Sequence, residues 1–447
     1  MIGTRKRYAA TAVALLAALA PAAVAQAAPA ESARTAASDP VRVLDWMAQP
    51  LRTTEPGSGT ADLRALGTMV GSAKVVGVGE ATHGSHEFFA LKDRVFRYLV
   101  EQKGFTTFAL EISWSAGLQI DDYLQNRDDT RDARQVVHEV MADSPWDRSE
   151  FAVLIQWMRD HNRQHPDRPV HFLGDDIGAP RLDQRVLDTV TSYVRQNRPE
   201  TTERLNELLT AVRPLDDAIA YLGRPLIERQ ENAARARQVL DLMQEQKGRG
   251  GADFEFALQN ARNIAQTYTF LTIDPRDQES LTAMERYRDQ VMAETTTWWH
   301  RRTGGKTVVS AHNDHVGYAA SDPKTYPKTQ GSFLRDALGT GYLAVGTTFD
   351  HGSFLSKDQS LGGEWKRFAV GPAETGTNEY TLDRVRYRDY YADLRKIPAS
   401  ARTWFATPRP TYSIGTQYPT NQILLNALGT SYDILVHLHS VRAADKL

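Results

Sequence analysis

The chain has 447 residues, of which 41% are hydrophobic and 24% are charged, with a formal net charge of -2 and no cysteine. This balance is that of a globular protein, long enough for two or three domains or for one elaborated α/β domain. It excludes disulfides and thiolate metal ligands, and it lacks the basic block that nucleic-acid binding would require.

The N-terminus has the three parts of a secretory signal. A basic cluster at residues 5–7 is followed by an Ala/Leu/Val-rich run from Tyr8 to Ala25 and by small residues in A-x-A spacing. This arrangement predicts a signal peptide over residues 1–27. The run is short for a membrane span and contains Pro21, which favours cleavage over anchoring. We therefore expect a secreted, extracellular protein with no membrane partner after cleavage.

Beyond this signal, residues 28–40 predict a flexible leader and residues 41–447 one α/β domain. Strand-like and helix-like patterns alternate along it, with strands expected at residues 75–79, 105–110, 170–173, 307–310, 342–347 and 434–438. Helices are expected at residues 41–51, 87–103 and most of 121–160. The alternation predicts a mainly parallel central sheet flanked by helices.

From about residue 180 to residue 303 the pattern is helical, with apolar residues at the spacing of an amphipathic helix. We expect a large helical subdomain, either inserted into the α/β fold or packed over it as a lid. The segment 322–331 is rich in Pro, Lys, Tyr and Thr and predicts a long surface loop.

Four of the predicted strands lead directly into ionisable side chains. In chain order these are Glu80 and His83, Glu111, Asp175 and Asp176, and His312 and His315. Ligands of open α/β sheets bind beyond the carboxyl ends of parallel strands. The four strand ends are therefore expected to meet in one crevice.

Such a cluster suits proton transfer, because imidazoles titrate near neutral pH and carboxylates can orient them. The sequence has no G-x-S-x-G, P-loop or G-x-G-x-x-G, which excludes a serine elbow and gives no support for a nucleotide cofactor. Hydrolysis by general base catalysis is the simplest remaining chemistry. A Zn²⁺ or Mn²⁺ site built from the same residues stays open, as does a non-hydrolytic proton transfer or acyl transfer.

Two stretches are especially distinctive: residues 79–111 begin GEATHGSHEFF, and residues 308–317 read VVSAHNDHVG. Together with segments at 144–162, 172–177, 287–299 and 432–444, they resemble the motifs of the erythromycin esterase family, which includes succinoglycan-biosynthesis-like proteins. The resemblance covers nearly the whole mature chain. It implies a hydrolase that opens macrolide lactones without a metal or other cofactor.

The resemblance implies that His83 is the general base. We expect His83 to take a proton from water, while Glu80 or Glu111 holds the imidazole or helps to position that water. Two further residues are predicted to bind substrate. Trp146 could instead pack in the core, and Asp176 could instead organise the site or cap a turn.

Charge stabilisation is assigned to His312, His315, Arg288 and Lys92, which would stabilise the oxyanion or protonate the leaving alkoxide. Known macrolide esterases carry Arg nine residues after the base, where this chain has Lys92. Lys supplies a positive charge but not a bidentate fork. The identity of the small-molecule ester or lactone therefore stays open, and we expect the protein to act on it as a monomer.

Overall fold

The structure is a computed structural model that describes residues 39–245, 251–274, 276–358, 363–419 and 422–447. The predicted signal peptide and most of the predicted leader lie outside these ranges. The first described helix begins at Pro40, inside the predicted leader, and the carboxylate of Asp39 caps it by accepting the N–H of Val41 at 3.0 Å. None of the described helices is long and apolar enough to cross a bilayer.

The described residues contain eleven strands: β1 Gln49–Pro50, β2 Val75–Val78, β3 Phe105–Ser113, β4 His171–Asp176, β5 Lys306–Ser310, β6 Tyr342–Lys357, β7 Trp365–Val370, β8 Tyr390–Asp393, β9 Arg409–Pro410, β10 Leu425–Asn426 and β11 Ile434–Val441. Nine form one sheet in the order β1-β8-β11-β6-β2-β5-β3-β4, with β7 paired to β6. The run from β11 to β4 is parallel, and β1, β7 and β8 pair antiparallel. The predicted mainly parallel sheet is confirmed.

The described α-helices are α1 Pro40–Met47, α2 Arg64–Val70, α3 His86–Lys103, α4 Trp114–Gln125, α5 Ala133–Met141, α6 Ser149–Gln164, α7 Gln184–Asn197, α8 Thr202–Leu209, α9 Ala218–Tyr221, α10 Leu226–Gln244, α11 Ala252–Phe270, α12 Gln278–Thr303, α13 Asn313–Val316, α14 Gln330–Leu338, α15 Asn378–Leu382, α16 Ala399–Ala406 and α17 Leu428–Ser431.

Successive strand residues point to opposite faces of a sheet. Accordingly, Val75 joins one buried apolar cluster and Val76 joins the other. Helices complete both clusters, as the predicted flanking layers require.

The region from residue 180 to residue 303 is helical in its described parts, as predicted. Its apolar residues share one cluster with residues of β2, β3, β4 and β5, so these helices pack on one face of the sheet. The longest helix, α12, contacts β4, and its Trp299 indole donates to the Thr107 hydroxyl of β3 at 2.9 Å. This anchoring fixes the other end of α12, which carries Arg288, relative to the strands.

The carboxyl ends of the central strands are in register. Ser310 of β5 pairs with both Val78 of β2 and Leu110 of β3, and Leu110 also pairs with Gly174 of β4. The strand β3 continues past its predicted end, so Glu111 lies within it, at an irregularity in pairing between Leu110 and Ser113. The side chains that follow these positions therefore come to one edge of the sheet.

The predicted surface loop at residues 322–331 is shorter than expected, because α14 begins at Gln330. The loop is also not confined to the surface. The Tyr326 ring lies edge-on to the His315 ring, with their centroids 5.5 Å apart. The loop therefore contributes to the wall around the strand ends.

Candidate active site

A cavity of about 700 Å³ opens at the carboxyl ends of the central strands. Its wall includes seven of the nine predicted site residues, namely His83, Glu111, Trp146, Asp176, Arg288, His312 and His315. The other two, Glu80 and Lys92, lie buried behind this wall. A volume of this size is in the range of sites for small molecules.

His83 follows β2 and is held from behind by Glu80. Its Nδ1 lies 2.6 Å from Oε1 of Glu80, which is completely buried. Burial alone would raise the pKa of Glu80, but the charge of Lys92 and the hydrogen bond with His83 hold it below its usual value. The carboxylate therefore accepts Nδ1–H, so the neutral imidazole has its lone pair on Nε2. In the described part of the chain, this Nε2 has no hydrogen-bond partner.

Lys92 lies in the second turn of α3 and acts on Glu80 rather than on the cavity. Its Nζ donates to the second oxygen of Glu80 and, at 3.1 Å, to the backbone carbonyl of Ala311. The side chain is 1% exposed, and burial lowers the pKa of its ammonium group although Glu80 opposes this. The predicted contact of Lys92 with the oxyanion does not fit this position. Lys92 is instead placed to keep Glu80 ionised.

Glu111 is the centre of a second network, and it does not hold the imidazole of His83. Its Oε2 accepts the backbone N–H of His312 at 2.9 Å. Its Oε1 accepts from Arg288 at 2.9 Å and lies 3.2 Å from Nε2 of His315. Burial opposes ionisation, but the positive charge of His315 and that of Arg288 keep the pKa of Glu111 well below its usual value.

His315 is buried with a carboxylate at each ring nitrogen. Nδ1 is hydrogen-bonded to Asp289, and Nε2 faces Glu111. Burial would lower the pKa of His315, but the two carboxylates outweigh it and raise the pKa well above its usual value. His315 is therefore a fixed imidazolium. The sequence reasoning missed Asp289, although it directly follows Arg288 and so could have been sought as its neighbour.

Arg288 connects Glu111 with Asp176 across the cavity wall. The guanidinium donates to both oxygens of Asp176, with the shortest contact at 2.6 Å, and to Glu111. Burial lowers the affinity of Arg288 for its proton, but Asp176 and Glu111 outweigh it and raise its pKa well above its usual value. The main contact of Asp176 is thus with Arg288. A contact of Asp176 with substrate stays a prediction.

His312 presents a hydrogen-bond donor beside His83. It caps α13, with Nδ1 accepting the backbone N–H of Asp314 at 3.3 Å. A neutral imidazole whose Nδ1 accepts carries its proton on Nε2. Burial and the neighbouring imidazole of His83 lower the pKa of His312 to about 4, so the ring is neutral near pH 7. Its Nε2 is buried without a protein partner, and the two rings are 5.0 Å apart.

Trp146 combines the two roles that the sequence left open. It belongs to an apolar cluster and also forms part of the cavity wall, with its ring edge-on to His83 at 5.8 Å. Asp175, by contrast, points into the protein, where it accepts from Thr296 and Gln330. Burial and the neighbouring Asp176 raise its pKa well above its usual value. Buried and hydrogen-bonded in this way, Asp175 organises the strand end rather than reacting.

Other cavity residues were not identified from the sequence. Acidic side chains are prominent among them: Glu139, Asp143, Asp183, Glu285, Asp314 and Asp322. They come from loops and helices dispersed along the chain, so no local sequence motif indicates them. A strongly acidic wall favours substrates that carry no negative charge.

Within the described residues, two groups of His, Asp and Glu have possible metal-ligand atoms within 4.8 Å of one another: Asp350, His351 and His439, and His86, Glu150 and Asp445. The histidines of the cavity wall belong to neither group. In the cavity, Nδ1 of His83 and both ring nitrogens of His315 already face carboxylates. The arrangement therefore fits proton transfer better than a shared metal ion.

The sequence model of the erythromycin esterase family matches residues 100–441. The chain belongs to this family. A relative from Escherichia coli, "Erythromycin esterase type II", is 23% identical over an alignment of 397 residues, and the match covers 80% of this chain and 90% of that protein. The resemblance inferred from the motifs is confirmed.

Two solved structures have the same fold. A Bacillus cereus protein has a TM-score of 0.82 at 28% identity, covering 91% of this chain and 98% of its own. A succinoglycan biosynthesis protein has a TM-score of 0.80 at 28% identity, covering 93% and 100%. The family match includes Glu111, Arg288, His312 and His315, and the geometry joins His83, which precedes the matched range, to the same cavity.

Proposed function

We propose that this member of the erythromycin esterase family hydrolyses an ester or lactone with a water molecule activated by His83. The supporting observation is a pair of adjacent imidazoles with opposite proton arrangements. His83 turns a lone pair toward the cavity because Glu80 takes its Nδ1–H. The ring of His312, whose centroid is 5.0 Å from that of His83, accepts the backbone N–H of Asp314 on Nδ1, so its own proton is on Nε2. One ring can accept a proton while the other donates a hydrogen bond.

In the proposed reaction, Nε2 of His83 removes one proton from water as the water oxygen bonds to the acyl carbon. The carbonyl oxygen becomes an oxyanion, which accepts a hydrogen bond from Nε2 of His312 and is stabilised by the charges of Arg288 and His315. The acyl–oxygen bond to the leaving group then breaks. The departing alkoxide takes the proton from the His83 imidazolium, which restores the base.

A bulky, uncharged or cationic lactone is the substrate class that the cavity supports, and a macrolide is the first candidate. The volume of about 700 Å³ suits a large ligand, and the acidic wall disfavours anions. Since Lys92 binds Glu80, its presence instead of Arg bears on the ionisation of Glu80 rather than on direct contact with substrate. The Lys therefore leaves macrolides among the candidates.

The test is to incubate the purified protein with a panel of macrolides and simple esters and to search by mass spectrometry for the gain of one water. We expect His83→Ala to lose this activity and His165→Ala, which changes an exposed histidine directly after α6 and outside the cavity wall, to keep it. Full activity of His83→Ala would overturn the mechanism. Loss on chelation, restored by Zn²⁺ or Mn²⁺, would support a metal-dependent hydrolase, and a product without added water would support transfer.

We also propose that the protein is exported after removal of its first 27 residues, on the basis of the basic cluster, the apolar run and the A-x-A spacing. N-terminal sequencing of protein recovered from culture medium should begin at about residue 26 or 28. Recovery of the intact N-terminus from the cell fraction alone would contradict this.

A further inference from the structure

A second histidine cluster lies on β6 and β11, outside the cavity wall. The parallel register pairs Ser440 with His351, which brings His439 next to Asp350 on the neighbouring strand. One possible ligand atom from each of Asp350, His351 and His439 lies within 4.8 Å of the others. The two imidazole rings are perpendicular, with centroids 4.8 Å apart.

A carboxylate behind His439 fixes the proton of its ring. Oδ1 of Asp383, directly after α15, lies 2.7 Å from Nδ1 of His439 and 3.3 Å from Nε2 of the buried His437. Accepting Nδ1–H leaves Nε2 of His439 with a free lone pair. A carboxylate in this position is the usual orienting partner of a metal-binding histidine.

Asp350 and His351 are held in a comparable way. Oδ1 of Asp350 accepts the backbone N–H of Ala373 at 3.0 Å, and Oδ2 lies 2.8 Å from Nδ1 of His351. Asp350 is buried, whereas the side chains of His351 and His439 are 34% and 25% exposed. The protein therefore fixes the cluster from the inside and leaves its outer side open to an ion from solvent.

We propose that Asp350, His351 and His439 form a binding site for a divalent transition-metal ion, with Zn²⁺ as the best match. Two imidazoles and one carboxylate are a donor set that Zn²⁺ prefers, with water completing four-coordination, whereas Mg²⁺ and Ca²⁺ prefer oxygen ligands alone. The ion would connect β6 with the end of β11 and, through Asp383, with α15. It stabilises the C-terminal strand and takes no part in the hydrolysis.

The experiment uses purified protein without an oligohistidine tag, treated with a chelator and dialysed, and titrates it with zinc chloride by isothermal calorimetry. We expect one equivalent to bind and, at a hundredfold excess over Kd, Tm to rise by about 3 °C. His439→Ala and His351→Ala should each abolish both effects. His86→Ala, which alters the other possible ligand group, and His165→Ala, which removes one ring of the His161–His165 pair at the end of α6, should leave them unchanged.

Binding that survives both His351→Ala and His439→Ala, or that is lost in His86→Ala or His165→Ala, places the ion elsewhere and overturns the proposal. Absence of binding in the unaltered protein also overturns it. If His439→Ala fails to fold, Asp383→Asn provides a second test of the proposed zinc site. It should weaken zinc binding roughly tenfold or more with an unchanged circular dichroism spectrum, and unchanged affinity would count against the site.

Discussion

The two sides of the cavity hold histidines in opposite electrostatic settings. His83 has one carboxylate, Glu80, on Nδ1, and its Nε2 faces open space. His315 lies between Asp289 and Glu111, so both of its nitrogens are occupied. His83 therefore suits the role of proton acceptor that we propose, whereas His315 is a fixed cation. The number of carboxylates that reach each ring determines the difference.

The largest expected effect is on the side of the cavity that carries His83, which we call the open side. His83→Ala removes the proton acceptor and should lower kcat about 10²- to 10⁴-fold, with little change in the free energy of unfolding. Steady-state kinetics on the substrate found by the panel, together with urea titration, check this. The urea titration would identify a variant that is inactive because it is unfolded. A folded variant with full activity would contradict the proposed role of His83 as the proton acceptor.

On the side of the cavity that carries His315, which we call the closed side, the main effect should be on the free energy of unfolding. Arg288→Ala leaves Glu111 and Asp176 without their shared cation, which should lower the free energy of unfolding by about 3–5 kcal/mol. Arg131→Ala is the matched control, because Arg131 also joins two carboxylates but at the surface, where such pairs contribute about 1 kcal/mol or less. Equal losses in the two variants would contradict the expected extra cost of leaving the buried carboxylates Glu111 and Asp176 without a cation.

The function of Lys92 can be separated from simple structure. Lys92→Met should let burial raise the pKa of Glu80, which moves the acid limb of the pH–rate profile up by about one pH unit or more. Lys92→Arg keeps the charge and should restore the profile. An unshifted profile in a folded Lys92→Met protein would mean that Lys92 does not act through Glu80.

The smallest expected effect is a pH dependence of stability. The folded pKa of Glu111 is below the usual 4.5, so its contribution is present above pH 4.5 and is lost as the pH falls through the folded pKa. Glu111→Gln should therefore be less stable than the unaltered protein at pH 7, and the gap should narrow by about 1 kcal/mol or more below pH 4.5. Chemical denaturation between pH 7 and pH 3 measures this gap. A constant gap would contradict an ionised Glu111.

For His315 the sign is opposite. Its pKa is raised in the folded state, so its contribution is present below pH 6.5 and is lost as the pH rises through the folded pKa. The closed side of the cavity should therefore be most stable where Glu111 is ionised and His315 is protonated. Measurements that extend to alkaline pH separate the two residues.

Much of the sheet could be predicted because its central strands are buried on both faces and read as short apolar runs. Two of the antiparallel strands, β7 and β8, could not. Trp365–Val370 contains Lys366 and Arg367 and is partly exposed, and Tyr390–Asp393 is only four residues long. Both strands pair antiparallel. Tyr390–Asp393 pairs with strands that are distant in sequence, whereas Trp365–Val370 pairs with β6, which directly precedes it, but its charged residues hide the apolar pattern of a strand.

The position of the site could be predicted, but its pairings could not. Strand ends place Glu80 and Glu111 near His83, yet only the direction of each side chain decides which carboxylate meets the imidazole. The same limit applies to Lys92, because the helical position that matches the family pattern does not reveal that its ammonium group points behind Glu80. Asp289 directly follows Arg288 in the chain, but the sequence does not reveal that its carboxylate reaches Nδ1 of His315.

The order of strands in the sheet has a consequence for how the protein is made. The strand β5 inserts between β2 and β3, although the entire helical region precedes it along the chain. Until residue 310 has been synthesised, Glu80 and Glu111 lie on strands that cannot pair through β5, and each strand has an open edge. Folding must then form contacts between distant segments, which is slow. A chain that stops before β5 therefore contains no partial version of the catalytic site, and activity should appear only when the late strands join.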